Sequence, residues 1–444
     1  MRNRRIFFAL MLLCMGWVGG SQQGHAHIHE HPTQAPVKPV VPDKGEKSLL
    51  QELIDETEPG GTLLLEGRVY RGSMSITKPI KIKGVEGTKI NSLATALTIS
   101  DTADVEFENL MFQAEDVAIA ASNVQNLTLT NITIEDSMAG IQITDSENIT
   151  FQNLDVTGRE GHFSEKGHAV AIYDTKNVTA TGSRIDGVMD GFYLESVDGV
   201  HLADNRVENG RYAMHMMYSD HVELYDNELF NNMTGFMVMI ADDVKIADNT
   251  VAKNNSLNSL GVYAYDVANV QFHDNEVYEN TTAMDIQNAR EMLVENNTFS
   301  TNGTVLQVKR SGELLVKDNE FHGNILTART DQQGVKLQQN FYDDYDGKDY
   351  DGDGIGDTAY IATNSFGQWM ARKPVYQYFM ESPSVVTLNM MDTEVTGGNT
   401  LVIVDEQPLV MKKPFAMTLD INMWQLLGSG LVLIGLFVVR RRLR

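Results

Sequence analysis

Between residues 104 and 345 the apolar positions alternate with polar ones in short runs, and no 3.6-residue helical period replaces that alternation. Each run is bounded by Asn, Asp or Gly. The runs are copies of one pattern: "DVEFENLMF", "NLTLTNITI", "NITFQNLDV", "NVTATGSRI", "GVHLADNRV", "HVELYDNEL", "DVKIADNTV", "NVQFHDNEV", "EMLVENNTF", "ELLVKDNEF" and "GVKLQQNFY". They begin at residues 104, 126, 148, 177, 199, 221, 243, 269, 291, 313 and 334, a spacing of 22 broken by one loss and two insertions. Short strands at so regular a spacing predict an all-β chain, a right-handed parallel β-helix over residues 47–345. Ahead of it, "SLLQELIDETEPGG" reads as an amphipathic helix that caps the open first coil.

Asn205, Asn227, Asn249, Asn275, Asn297, Asn319 and Asn340 share one repeat position, as a ladder stacked at a tight bend would. Each amide can bond the amide above and below, so the polar groups are satisfied where they are buried. The insertions, Gly158–His168 and one around Asn254–Ser259, predict outward loops flanking the coils between them.

Those coils hold "RYAMHMMYSD", Arg211 to Asp220. Strand alternation sends Met214 and Met216 inward with Phe192, Leu194, Phe236 and Val238, as ordinary core. His215 and Met217 then face out, beside Met237 and Met239 one coil later. Adjacent strands lie about 4.8 Å apart and alternate residues about 6.8 Å, so the four side chains can converge. Imidazole and thioether together suit Cu(I), and an open site of this kind would release its metal readily. The other reading is an apolar contact surface ringed by Tyr173, Tyr193, Tyr263 and Tyr265. A metal-transfer site must also dock a partner, so the two can coexist.

The ends change the picture of where this happens. A basic start, a short apolar run and "GHA" at Gly24–Ala26 predict a signal peptide over residues 1–26 and export. The sole cysteine, Cys14, falls inside it, preceded by Met and Leu rather than the small residues of a lipoprotein signal. Ile421–Val439 is uncharged, spans about 28 Å as a helix and is followed by "RRRLR". Residues 420–444 therefore predict a transmembrane helix with a cytoplasmic tail, the rest lying on the periplasmic side; a buried core helix is the alternative. A net charge of -25 argues against nucleic acid as a partner and is compatible with cations.

Two further metal signals follow. Cleavage after Ala26 would leave a His/Pro-rich linker, residues 27–46, opening "HIHEHPTQ". Its amine, two amides and His29 make a square-planar nitrogen set for Cu(II), with His27 and His31 beside it; a weak unselective tract is the alternative. In residues 346–361, "DYDGDGIGD" matches the first nine positions of a calcium loop: Asp349, Asp351, Asp353, the carbonyl of Ile355, and Asp357. Tyr360 stands where a bidentate Glu is expected, so Asp343, Asp344 or Asp346 would complete the shell, or the segment is an unliganded turn. Residues 362–418 form a C-terminal extension.

Taken with "TGFMVMI", "NFYDDYDGKDYDGDGIGDTAY", "KPVYQYFMESPSVVTLNMMD" and "VDEQPLVMKKP", the Met-rich coils resemble the NosD family over roughly residues 47–414. The resemblance implies a periplasmic β-helix protein that supplies copper to apo nitrous oxide reductase. It also implies an ABC transporter, made of a membrane subunit and an ATPase, and a membrane-bound copper chaperone as donor. The rival class is a carbohydrate-active β-helix enzyme, a lyase or epimerase. Such an enzyme needs a base and cations along a groove, whereas this wall offers Glu195, Asp285, methionines and tyrosines, with few basic residues before Lys309 and Arg310. A plain structural scaffold is the third possibility.

Overall fold

A computed structural model describes residues 48–330, 335–362, 382–384, 387 and 403–410. All lie in the first of two units, Met1–Val410 and Met411–Arg444. The leader, the histidines at 27, 29 and 31, and the apolar stretch 420–444 fall outside the described residues. Among the described residues no helix is long and apolar enough to cross a membrane.

From Thr62 to Tyr342 the chain winds as a parallel solenoid of about 13 turns. Each strand pairs in parallel with its counterpart one coil away, as Val200 does with Val222 and Val222 with Val244. The bends need backbone with positive φ, which Asn, Asp and Gly tolerate best. One such column runs Asp104, Asn126, Asn148, Asn177, Gly199, His221 and Asp243. That requirement, repeated every coil, is why the alternating runs are punctuated by these residue types.

The interior is a stack of single layers. Phe107, Leu129 and Phe151 sit over one another in register and are fully buried. The asparagine ladder forms as the repeat predicts: Asn205, Asn227, Asn249, Asn275, Asn297 and Asn319 each pass an Nδ2–H to the Oδ1 of the next, ending on Asn340, at 2.9–3.1 Å. A second ladder, Asn232, Asn254, Asn280, Asn302 and Asn324, climbs a neighbouring bend. The insertions leave the coil as surface loops, with a 3₁₀ turn at Phe163–Glu165 in the first and Leu257 exposed at the tip of the second.

Both ends are closed. The helix Leu49–Glu56, N-capped by Ser48, buries Leu50 and Ile54 on the first coil, and Gln51 bonds both backbone groups of Ser75. At the far end Asp405 takes the place of the next asparagine. It is buried, and one of its oxygens accepts from the Asn340 amide (3.0 Å), its side chain (3.0 Å) and the Tyr342 hydroxyl (3.1 Å).

Candidate metal centre

Two neighbouring strands, Tyr212–Met217 and Thr234–Met239, pair in parallel with His215 opposite Met237 and Met217 opposite Met239. Met214 and Met216 are wholly buried in the interior with Phe236 and Val238. The four side chains proposed for copper are on the other side of the same wall. That side is more covered than an open site would be: His215 is 7% and Met237 8% exposed, with Met217 and Met239 half-buried. The Tyr193 hydroxyl donates to Glu195 (2.8 Å) and lies 3.9 Å from the Met217 sulfur. Edges of Tyr193 and Tyr212 flank the His215 ring at 4.8 and 5.1 Å between centroids.

Behind His215 is a charge cluster that strand parity does not reveal. Asp190 is fully buried, and Arg211 grips it with two bonds, Nε to Oδ1 at 2.8 Å and a terminal nitrogen to Oδ2 at 2.7 Å. The same Oδ2 meets Nδ1 of His215 at 3.1 Å. His168, the last residue of the first insertion, brings its Nδ1 to 3.4 Å of that oxygen without hydrogen-bond alignment and stacks on Tyr193. Nε2 of His215 is buried with no partner.

Strict alternation back from Phe192 would turn Asp190 inward. The strand breaks alternation instead. Gly191 also points to the core, where an added Cβ would sit 2.6 Å from Val207, and Asp190 is returned to the outer side. His168, Asp190 and Tyr212 are 22 residues apart and share that column, so the repeat carried a signal that alternation masked.

Burial raises the Asp190 pKa, but the close approach of His168 and the hydrogen bonds from His215 and Arg211 outweigh it and hold the carboxyl well below its ordinary value. Desolvation pushes His215 down, against the pull of Asp190, so the ring is neutral near pH 7. Burial likewise raises Tyr173 to about 12 and raises Tyr193 and Tyr263, leaving neutral phenols around the thioethers.

Another feature marks these two coils. The bend after each wall strand has positive φ and is Asp101, Asn123, Asp145, Asp174, Ser196, Asp266 and Asn288, and Arg310 near the end, but Tyr218 (φ 54°) and Ile240 (φ 54°) follow the methionine strands. A β-branched residue is strained there. Tyr218 is among the exposed large apolar side chains.

At the Asp-rich segment, carboxylate oxygens of Asp349, Asp351 and Asp353 lie within 4.8 Å of one another. Asp349 accepts from the amides of Gly352 (2.6 Å) and Gly354 (2.8 Å), and Asp353 from that of Ile355 (2.8 Å). Asp357 stands outside the trio and accepts from Tyr350 N at 2.6 Å. Asp343 accepts from Gly323 N, and Asp344 from the Tyr360 hydroxyl at 3.4 Å. Tyr360 departs from the calcium-loop pattern because its ring stacks on Tyr342 at 3.7 Å and closes the aromatic column of the solenoid.

Residues 152–368 match the family model described as NosD, periplasmic copper-binding protein. That stretch is similar to the NosD family. The matched segment contains His168, Asp190, Arg211, both methionine strands and the Asp-rich loop. No curated protein sequence matches the chain. Among solved structures, a mutant of the periplasmic alginate epimerase AlgG is similar at 13% identity and a TM-score of 0.51, over 66% of this chain and 80% of that one. The Yersinia enterocolitica family 28 exopolygalacturonase aligns at 11% identity and TM-score 0.46, over 64% of this chain and 74% of that one. At such identities the likeness to AlgG concerns fold alone.

Proposed function

We propose that this protein is a periplasmic copper-binding accessory factor that holds Cu(I) on His215, Met217, Met237 and Met239 and passes it to apo nitrous oxide reductase. The observation that carries the reading is the register of the two strands, which sets a neutral histidine with an unpartnered Nε2 beside three thioethers. Soft, neutral donors favour a monovalent soft ion over Ca²⁺ or Mg²⁺. Transfer needs ligand exchange and no change in oxidation state: flexible thioethers are replaced one at a time by donors of the docked reductase. A membrane-bound chaperone supplies the ion, and an ABC transporter's membrane subunit and ATPase act with the protein. Residues 420–444 anchor it to the inner membrane, and His27, His29 and His31 form an auxiliary copper tract. Calcium on Asp349, Asp351, Asp353, the Ile355 carbonyl and Asp357 stiffens the end of the solenoid.

Catalysis on polysaccharide has less support. Arg211 is tied to Asp190 by two bonds and is not free to neutralise a uronate. Anaerobic Cu(I) titration of the purified protein against a chromophoric competitor tests the reading. One tightly held ion that is lost when Met217, Met237 and Met239 are all changed to Leu supports it. Equal binding by both proteins, or turnover of alginate or pectin, contradicts it.

A further inference from the structure

We infer that Asp190 is a positioning residue for the metal: clamped by Arg211, it fixes His215 as the tautomer protonated on Nδ1 and leaves Nε2 as a bare donor. The inference rests on the copper reading above for the identity of the ion, and on hydrogen-bond chemistry for the rest.

An ionised carboxylate can only accept hydrogen bonds. Asp190 is enclosed and accepts two from Arg211, at 2.8 and 2.7 Å, so it has a permanent cationic partner holding it ionised and in place. Nδ1 of His215, 3.1 Å from Oδ2, must therefore be the nitrogen that donates. A neutral imidazole has one proton, so Nε2 is left with its lone pair. That nitrogen is buried and meets no donor in the protein. A buried lone pair without a partner is unfavourable, and a soft cation shared with the adjacent thioethers would satisfy it. His168 approaches the same oxygen but at 3.4 Å and out of line, so it does not displace His215 from the bond. A carboxylate behind a ligating imidazole sets ring orientation and basicity, and its loss typically weakens metal binding about ten- to hundredfold.

The test is a long-range proton–nitrogen correlation spectrum of the metal-free, histidine-labelled protein at pH 7, with His215 assigned through His215→Gln, run beside the Cu(I) competition titration. The expected wild-type spectrum places the His215 proton on Nδ1. In Asp190→Asn either amide orientation sets the NH₂ against one nitrogen of Arg211, so the clamp loosens, the anionic acceptor for Nδ1 is lost and the ring is released to the Nε2-protonated form that free imidazole side chains favour. The proton should move to Nε2, and Cu(I) affinity should fall about ten- to hundredfold. Asp190→Glu restores an acceptor and should keep the tautomer and most of the affinity, which separates positioning from loss of fold. Met237→Leu should lose copper with the tautomer unchanged. A wild-type proton on Nε2, or full affinity in Asp190→Asn, overturns the inference. A proton on Nδ1 in a protein that binds no Cu(I) sinks the copper reading and leaves the tautomer lock standing.

Discussion

Ile240 and Asp190 each contradict a local rule, and each contradiction has a measurable consequence. Ile240 holds a left-handed backbone that costs an L-residue with a branched Cβ roughly 1–2 kcal/mol. Ile240→Asn should therefore raise unfolding free energy by about 1 kcal/mol, read from denaturant midpoints. A lower midpoint would mean that the side chain's apolar contacts exceed its strain. Asp190 makes the opposite contribution. Its folded pKa is depressed, so its stabilisation is complete above the ordinary carboxylate range and is lost as pH falls through the folded value. Wild type should lose stability faster than Asp190→Asn below about pH 4, the two curves converging in acid. Parallel curves would contradict that assignment. Sequence alone reached His215 and the methionines because alternation holds from residue 214 to 217 on that strand. It missed Asp190 because a single inward Gly191 resets the parity, and it missed Arg211 because nothing in the repeat marks a bend residue as a clamp.

Among the elements, the ladder was readable because seven asparagines keep one repeat position. The second ladder was not, since its Asn254 lies inside what reads as an insertion. Nor does any pattern announce Asp405, which joins the end of the ladder across more than sixty residues of chain. Asp405→Ala would strip five donors of their acceptor, the backbone N–H groups of Gln339, Asn340 and Gln407, the Asn340 side chain and the Tyr342 hydroxyl, and should cost about 3 kcal/mol or more. Hydrogen exchange should then quicken first in Val335–Tyr342; unchanged protection there would remove the cap assignment. The acidic trio makes a separate prediction. Millimolar Ca²⁺ should raise the melting temperature and a chelator lower it, and Asp349→Asn should abolish the difference. A calcium-insensitive melting curve would leave the loop an amide-stapled turn, as its internal hydrogen bonds already allow.

For the molecule as a whole, the solenoid does two things for the site. It repeats one strand geometry at fixed spacing, so substitutions at equivalent positions of successive coils bring chosen side chains together without a dedicated loop. It also leaves the wall's outer side free to specialise while the interior and the ladders carry stability. That division is why the fold was legible from periodicity while the site's depth was not: His215 and Met237 are covered, though their parity faces out. The central claim is that copper sits on this wall, bound through sulfur and one imidazole. X-ray absorption of the Cu(I)-loaded protein tests it most directly. The account predicts a mixed sulfur and nitrogen shell that loses its sulfur scatterers when Met217, Met237 and Met239 become Leu. A shell of nitrogen and oxygen alone, unchanged by those substitutions, would contradict it.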